Sequence, residues 1–156
     1  MYVFAGAPWR TQAVVRDLQT AFTPARDGIP GNDDLGALSA GHVFTALGLG
    51  PVTAGAPFMA IGSPEFPEAV VTPEGDNTLP FTISAPDSTK DNKYVQAAYQ
   101  GFEALDRAWL YDSTLRRGGR LLVEIGSEPN KDWAATAEAT PPSVSDSSIE
   151  RFGCRR

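Results

Sequence analysis

Residues 27–40 read Asp27-Gly28-Ile29-Pro30-Gly31-Asn32-Asp33-Asp34-Leu35-Gly36-Ala37-Leu38-Ser39-Ala40. This Pro/Gly turn carries an amide and two adjacent carboxylates, and it runs directly into an apolar, helix-forming stretch. Side chains at the mouth of a helix face backbone N–H groups that lack intrahelical partners, and the positive end of the helix dipole. Both features stabilise negative charge. Asp33 and Asp34 are therefore suited to act as a general base or a hard-cation ligand, and unsuited to act as a general acid. The simpler alternative is that Asn32 or Asp33 only caps the helix.

Outward from this corner, residues 8–22 predict a first helix. Pro8 fits its first turn, and Val14, Val15, Leu18 and Phe22 recur at helical spacing. Residues 23–32 form a Pro/Gly loop, and residues 33–47 predict a second helix. Its residues Leu35, Leu38, Val43, Phe44 and Leu47 lie largely on one side, and Gly48 stops it. Beyond Pro51 the period changes. Residues 58–61, 69–72, 79–85, 94–99 and 120–125 are short β-branched or aromatic runs separated by turn clusters, which predicts an antiparallel sheet of about four or five strands. A helical turn is expected at residues 112–117, capped by Asp112 and ended by Gly118-Gly119. From residue 134 the chain is rich in Ala, Thr, Ser and Pro without periodicity, the composition of a disordered tail. The fold class is thus α+β, divided at residues 1–52 (helices), 53–133 (β-rich) and 134–156 (tail).

The 156 residues suffice for about one domain, and 42% are hydrophobic, enough for a core. The net charge of −6 comes with no basic patch, which argues against nucleic acid or an anionic membrane as partner and suits a neutral one such as a glycan. No run of 18 apolar residues occurs, so no spanning helix is expected. Met1 leads directly into Tyr2-Val3-Phe4 without a basic region, so no signal peptide is expected at this end. The single cysteine, Cys154, allows no internal disulfide.

The run Gly28-Ile29-Pro30-Gly31-Asn32-Asp33-Asp34-Leu35-Gly36-Ala37-Leu38-Ser39-Ala40, followed by Val43-Phe44-Thr45-Ala46-Leu47-Gly48-Leu49 and Pro51-Val52, resembles glycoside hydrolase family 92. So do Ala5-Gly6-Ala7-Pro8-Trp9-Arg10-Thr11-Gln12 upstream, and Ile61-Gly62-Ser63-Pro64-Glu65-Phe66-Pro67, Asp91-Asn92-Lys93-Tyr94-Val95-Gln96, Trp109, Gly118-Gly119 and Trp133 downstream. The family comprises calcium-dependent, inverting exo-α-mannosidases. The resemblance implies that residues 1–52 are the last helices of an (α/α)6 toroid, with a β segment packed beside them. It also implies a C-terminal fragment whose partner is the missing N-terminal part of the enzyme. Asp34 is then the water-activating base, with Asp33 assisting. Trp9, Asn32 and His42 are substrate contacts, and Asn32 and Asp33 contribute to a Ca²⁺ site. The substrate is a mannose-containing glycan. The family's acidic proton donor precedes the Ala-Gly-x-Pro-Trp segment, so this chain is expected to lack it. Trp109 and Trp133 read as sheet-packing residues. Gly41-His42 replaces the family's usual Trp-Tyr, and Gly50 replaces an aromatic, which implies a more loosely packed site. The alternative reading is a non-catalytic carbohydrate-binding module or a degenerate relic, with Tyr94, Tyr99 and Phe102 as an aromatic platform that strand alternation would partly bury.

Overall fold

The computed structural model describes residues 2–53, 55–75 and 79–143. A short 3₁₀ turn, Tyr2–Ala5, leads into α1 (Pro8–Gln19), which Pro8 opens at its first position. After the 20–36 loop come α2 (Ala37–Ala46), β1 (Leu49–Gly50), β2 (Phe58–Ile61), β3 (Glu68–Val71), β4 (Phe81–Ser84), β5 (Tyr94–Gln100), β6 (Glu103–Leu105), β7 (Trp109–Tyr111), α3 (Asp112–Arg117) and β8 (Gly119–Gly126).

The α+β class expected from the sequence holds, but the sheet arrangement differs. The strands form two sheets, β1-β2-β7 and β3-β4-β8-β5-β6. The larger is mixed and not purely antiparallel, because β4 and β8 run parallel, with Phe81 opposite Gly119 and Ile83 opposite Leu121. β1, β6 and β7 have two or three residues each and carry no readable alternation in the sequence. One hydrophobic cluster draws on both sheets, with Phe81, Ile83, Val95, Leu121 and Val123 from the larger and Ile61 and Leu110 from the smaller.

A β-bulge between Val95 and Ala97 has a further consequence. Tyr94 pairs with Gly126 and Tyr99 with Leu122, four residues apart on β8. The two tyrosines therefore share the outer face, where simple alternation would have placed them on opposite faces. Phe102 is fully exposed at the tip of the β5–β6 hairpin.

The tail expected from residue 134 does not begin there. Ala134 and Ala139 are buried. The Trp109 indole N–H donates to the Ala139 carbonyl at 3.0 Å, and the Trp133 indole N–H donates to the Leu105 carbonyl at 2.9 Å. Both tryptophans thus pack against the sheets as their sequence context suggested. They hold residues 134–143 in place through contacts that the low-periodicity sequence does not display. Residues 144–156, the rest of that expected tail, lie outside the described residues.

Helix α1 departs from expectation in its facing. Val14 and Leu18 are 44% and 62% exposed, whereas Gln12 and Gln19 are only 1% and 7% exposed. The Gln12 side-chain oxygen accepts the Val95 backbone N–H at 3.1 Å, tying α1 to β5. The Arg16 guanidinium donates to the carbonyls of Pro64 and Thr89. These two polar anchors set the rotation of the helix about its axis, and the Val14–Leu18 stripe turns outward as a result.

At the end of α2, Gly48 has φ +73°, and a Cβ there would lie 2.6 Å from the Pro64 ring. Gly48→Ala combines left-handed strain of about 1–2 kcal/mol with that clash. It is expected to lower the urea unfolding free energy by at least about 1 kcal/mol, measured by circular dichroism.

Candidate functional site

Helix α2 starts at Ala37, four residues later than the sequence predicts, and the cause lies at the corner itself. Asp34, Leu35 and Gly36 have φ of +48°, +59° and +93°. Three consecutive left-handed residues cannot belong to a right-handed helix, and each non-glycine one costs about 1–2 kcal/mol. The turn also throws Leu35, expected in the apolar face, completely into solvent.

What this turn achieves is legible in the hydrogen bonds. The Ala37 N–H donates to the Asp34 carbonyl at 3.3 Å and the Leu38 N–H to the Asp33 carbonyl at 3.2 Å. The Ser39 N–H donates to the Asp33 carboxylate at 2.8 Å, and the Ser39 hydroxyl bonds the two carboxylate oxygens at 3.0 Å each. The corner thereby satisfies three of the helix donors that have no partner within α2. Asp33 is half-buried and engaged through both oxygens, so it is the cap, reaching over a left-handed turn from outside the usual capping position. Ser39 is the partner of Asp33 that the sequence reading did not name. A hydroxyl at the third helical position, six residues from a candidate carboxylate, was the available signal.

Asp34 is different. Its side chain is exposed, and its one described contact is the Asn32 amide, which donates to it at 3.0 Å. Asn32 does not cap the helix; it orients Asp34. The structure therefore brings Asn32, Asp33 and Asp34 together in one loop and gives them separate tasks.

His42 lies close by, on α2. Its ring stacks on Phe22, with centroids 4.3 Å apart and planes at 18°. It lines two adjoining clefts. One, of about 190 Å³, lies between α1 and α2 beside Gln19 and Gly41. The other, of about 460 Å³, lies beneath the 23–29 loop and includes Ser39. Ser39 thus links the Asp33 carboxylate to the rim of a concavity. Trp9 is not brought to this corner. It sits ten residues before Gln19 on α1, about 15 Å along the helix axis. Its ring carries the Arg10 guanidinium at 5.0 Å and the Lys131 ammonium at 5.5 Å.

A calcium ion takes six to eight oxygen ligands. The corner offers the side chains of Asn32, Asp33 and Asp34, with both Asp33 oxygens already bonded to Ser39. No group of three His, Cys, Asp or Glu able to hold a metal occurs among the described residues. These residues alone do not compose a calcium shell. No helix among the described residues is long and apolar enough to cross a membrane.

The proteins this chain resembles are glycosidases. The profile of the glycosyl hydrolase family 92 catalytic domain matches residues 1–127. An uncharacterized secreted glycosidase of the fungus Arthroderma benhamiae is 29% identical over 158 residues, 99% of this chain and 20% of its own length. A family GH92 α-mannosidase of Bacteroides thetaiotaomicron superposes with TM-score 0.85 at 30% identity, over 92% of this chain and 19% of that one. That enzyme is also known in complex with mannoimidazole. A family GH92 inverting mannosidase of the same bacterium gives TM-score 0.84 at 33% identity, over 93% and 20%. The chain belongs to glycosyl hydrolase family 92, and the match to its catalytic domain covers residues 1–127. It spans about one-fifth of the length of these relatives.

The two aspartates should separate experimentally. Asp33→Ala removes the acceptor of the Ser39 N–H and is expected to cost about 1–2 kcal/mol of stability. Asp34→Asn at an exposed position should stay within about 0.5 kcal/mol of the parent. Urea unfolding of both variants measures this directly.

Proposed function

We propose that this chain is the C-terminal portion of a family 92 α-mannosidase catalytic unit, the last helices of a helical toroid with their β segment. In this reading it supplies the base side of an inverting hydrolysis of terminal α-mannosidic bonds. The observation that carries the reading is the division of labour at the corner, where Asp33 is consumed by capping and Asp34 is held open to solvent by Asn32. Inverting hydrolysis needs two carboxyl groups about 6.5–9.5 Å apart, one protonating the leaving oxygen and one activating water on the opposite face. Asp33 and Asp34, adjacent on one turn, cannot flank a sugar. Asp34 takes the proton from the attacking water, and Asp33 keeps the turn rigid beneath it. Asn32 holds the Asp34 carboxylate in place, and the imidazole of His42 lines the neighbouring cleft, where a sugar hydroxyl can reach it.

The general acid comes from polypeptide beyond these residues. Among the glutamates on the β side, Glu68 sits in the outer strand β3 of the larger sheet. The mannosidase relatives support this substrate class, and the acidic, unpatched composition is compatible with a neutral glycan. The complete unit is needed for turnover, so the chain alone should release no mannose from an α-1,2-linked mannobiose. Joined to the remainder of a family 92 catalytic domain, it should release mannose. Asp34→Asn in the joined protein should then lower kcat by about 10²–10⁴-fold, the range for a general base, with KM little changed. Turnover by the chain alone, or full activity of the Asp34→Asn protein, would refute the assignment.

A further inference from the structure

Two buried hydroxyls without a hydrogen-bond partner among the described residues lie where α1 meets the smaller sheet. Ser63, just past β2, is 2% exposed, and its Oγ makes no such bond. The Thr11 Oγ1 of α1 is buried and unpaired in the same way. Both side chains line one cavity of about 200 Å³, set between α1, the end of α2, β1 and β2. Thr45 also lines it, but its hydroxyl is spent on the carbonyls of Gly41 and His42. Buried polar atoms are almost always paired, because a desolvated donor or acceptor without a partner keeps its full desolvation penalty. Two such groups in one cavity therefore define a seat for an occupant that pairs with them.

The walls restrict its chemistry. Apart from the hydroxyls, the cavity is bounded by apolar groups, among them Val15, Leu49, Val52 and Ala60, and no charged side chain lines it. Small residues on the sheet side make the space. Gly50 lies directly opposite Ala60 in the β1–β2 register, so the two positions face the same way. A Cβ on Gly50 would meet nothing. A buried water needs about two to four polar partners, so the two hydroxyls hold about one, which is far less than the volume. A cavity of about 150 Å³ already accepts a benzene ring. A sugar is disfavoured, because most of its hydroxyls would face apolar walls unpaired. The cavity also lies at the opposite end of α2 from the Asn32–Asp34 corner, about 15 Å along the helix axis.

We propose that this cavity is a binding site for a small neutral alcohol, a single ring bearing one hydroxyl. That hydroxyl pairs with Thr11 and Ser63, and the ring packs against Val15 and Val52. The site stands apart from the mannosidase reading, since none of the residues lining it belongs to the corner. Its occupant ties α1 to the end of β2 across the seam between the helical and β portions.

The test is calorimetric titration of the chain with benzyl alcohol and with toluene, which has the same ring and no hydroxyl. Benzyl alcohol should bind at one site and raise the melting temperature. Toluene should bind about tenfold more weakly, because it leaves both hydroxyls unpaired. Thr11→Val combined with Ser63→Ala removes the hydroxyls and should bring the two affinities within about twofold of each other. Gly50→Val places a β-branched residue in a strand and should fill the space. It should hold or raise the melting temperature and abolish binding of both compounds. A fall in melting temperature for the Thr11→Val, Ser63→Ala protein would show that the hydroxyls are paired within the chain, and would overturn the proposal. So would absence of benzyl alcohol binding, equal affinities of the parent for the two compounds, or a preference for benzyl alcohol that survives loss of the hydroxyls. Displacement of benzyl alcohol by mannose, or unchanged binding in Gly50→Val, would overturn it too. The chain joined to the remainder of a family 92 catalytic domain should bind benzyl alcohol as the chain alone does. Loss of binding there would assign the cavity to a side chain of that polypeptide and end the proposal.

Discussion

The carboxylate of Asp33, folded back over a left-handed turn onto the Ser39 N–H and hydroxyl, is the contact on which the organisation of this chain turns. It sets where α2 begins, and so where His42 and Ser39 stand relative to the clefts. It also makes the strained run of Asp34, Leu35 and Gly36 tolerable. Two non-glycine residues in the left-handed region together cost about 2–4 kcal/mol. Such strain persists only where surrounding interactions over-determine it. Here three helix N–H groups are satisfied by the backbone and side chain of the same two aspartates. The exposed position of Asp34 is a by-product of that cap: the turn that lets Asp33 reach inward points its neighbour outward.

The β portion provides the rigid base for this arrangement. Gln12 and Arg16 anchor α1 to β5 and to the loops at Pro64 and Thr89, while Gly48 lets the end of α2 pass close over Pro64. The helical part therefore rests on the sheets through specific polar bonds and one tight approach, with Val3 buried in the shared core and Phe44 and Leu47 packed against it. This explains how its outer side can remain apolar and open. The sheets hold the inner side, and the polar residues of α1 have been drawn inward to bind them.

Much of this was legible in the residues. The helices, five of the strands and the 112–117 turn follow from periodicity and turn chemistry, and the family from the Gly-Asn-Asp-Asp corner and its flanking segments. The start of α2 was not, because a left-handed run at Asp34 and Leu35 contradicts local preference and exists only through the Ser39 contact. The facing of α1 was also hidden, since helical spacing puts Val14 and Leu18 with Val15 and Phe22 and gives no sign that two glutamines outrank them as anchors. The capping alternative raised for Asp33 proved correct, whereas Asn32, its companion in that alternative, orients Asp34 instead. Residues 134–143 looked unstructured because two indole N–H bonds and small buried alanines leave no periodic trace.

The central proposal is that Asp34 is one half of a base–acid pair whose other half stands across the sugar, outside these residues, and its most direct test is the stereochemistry of the product. Proton NMR of an α-mannoside turned over by the completed unit should show β-mannose appearing first and α-mannose only as mutarotation proceeds. Prompt appearance of α-mannose would mean attack from a neighbouring carboxylate and a covalent intermediate, and would contradict the role given to this corner.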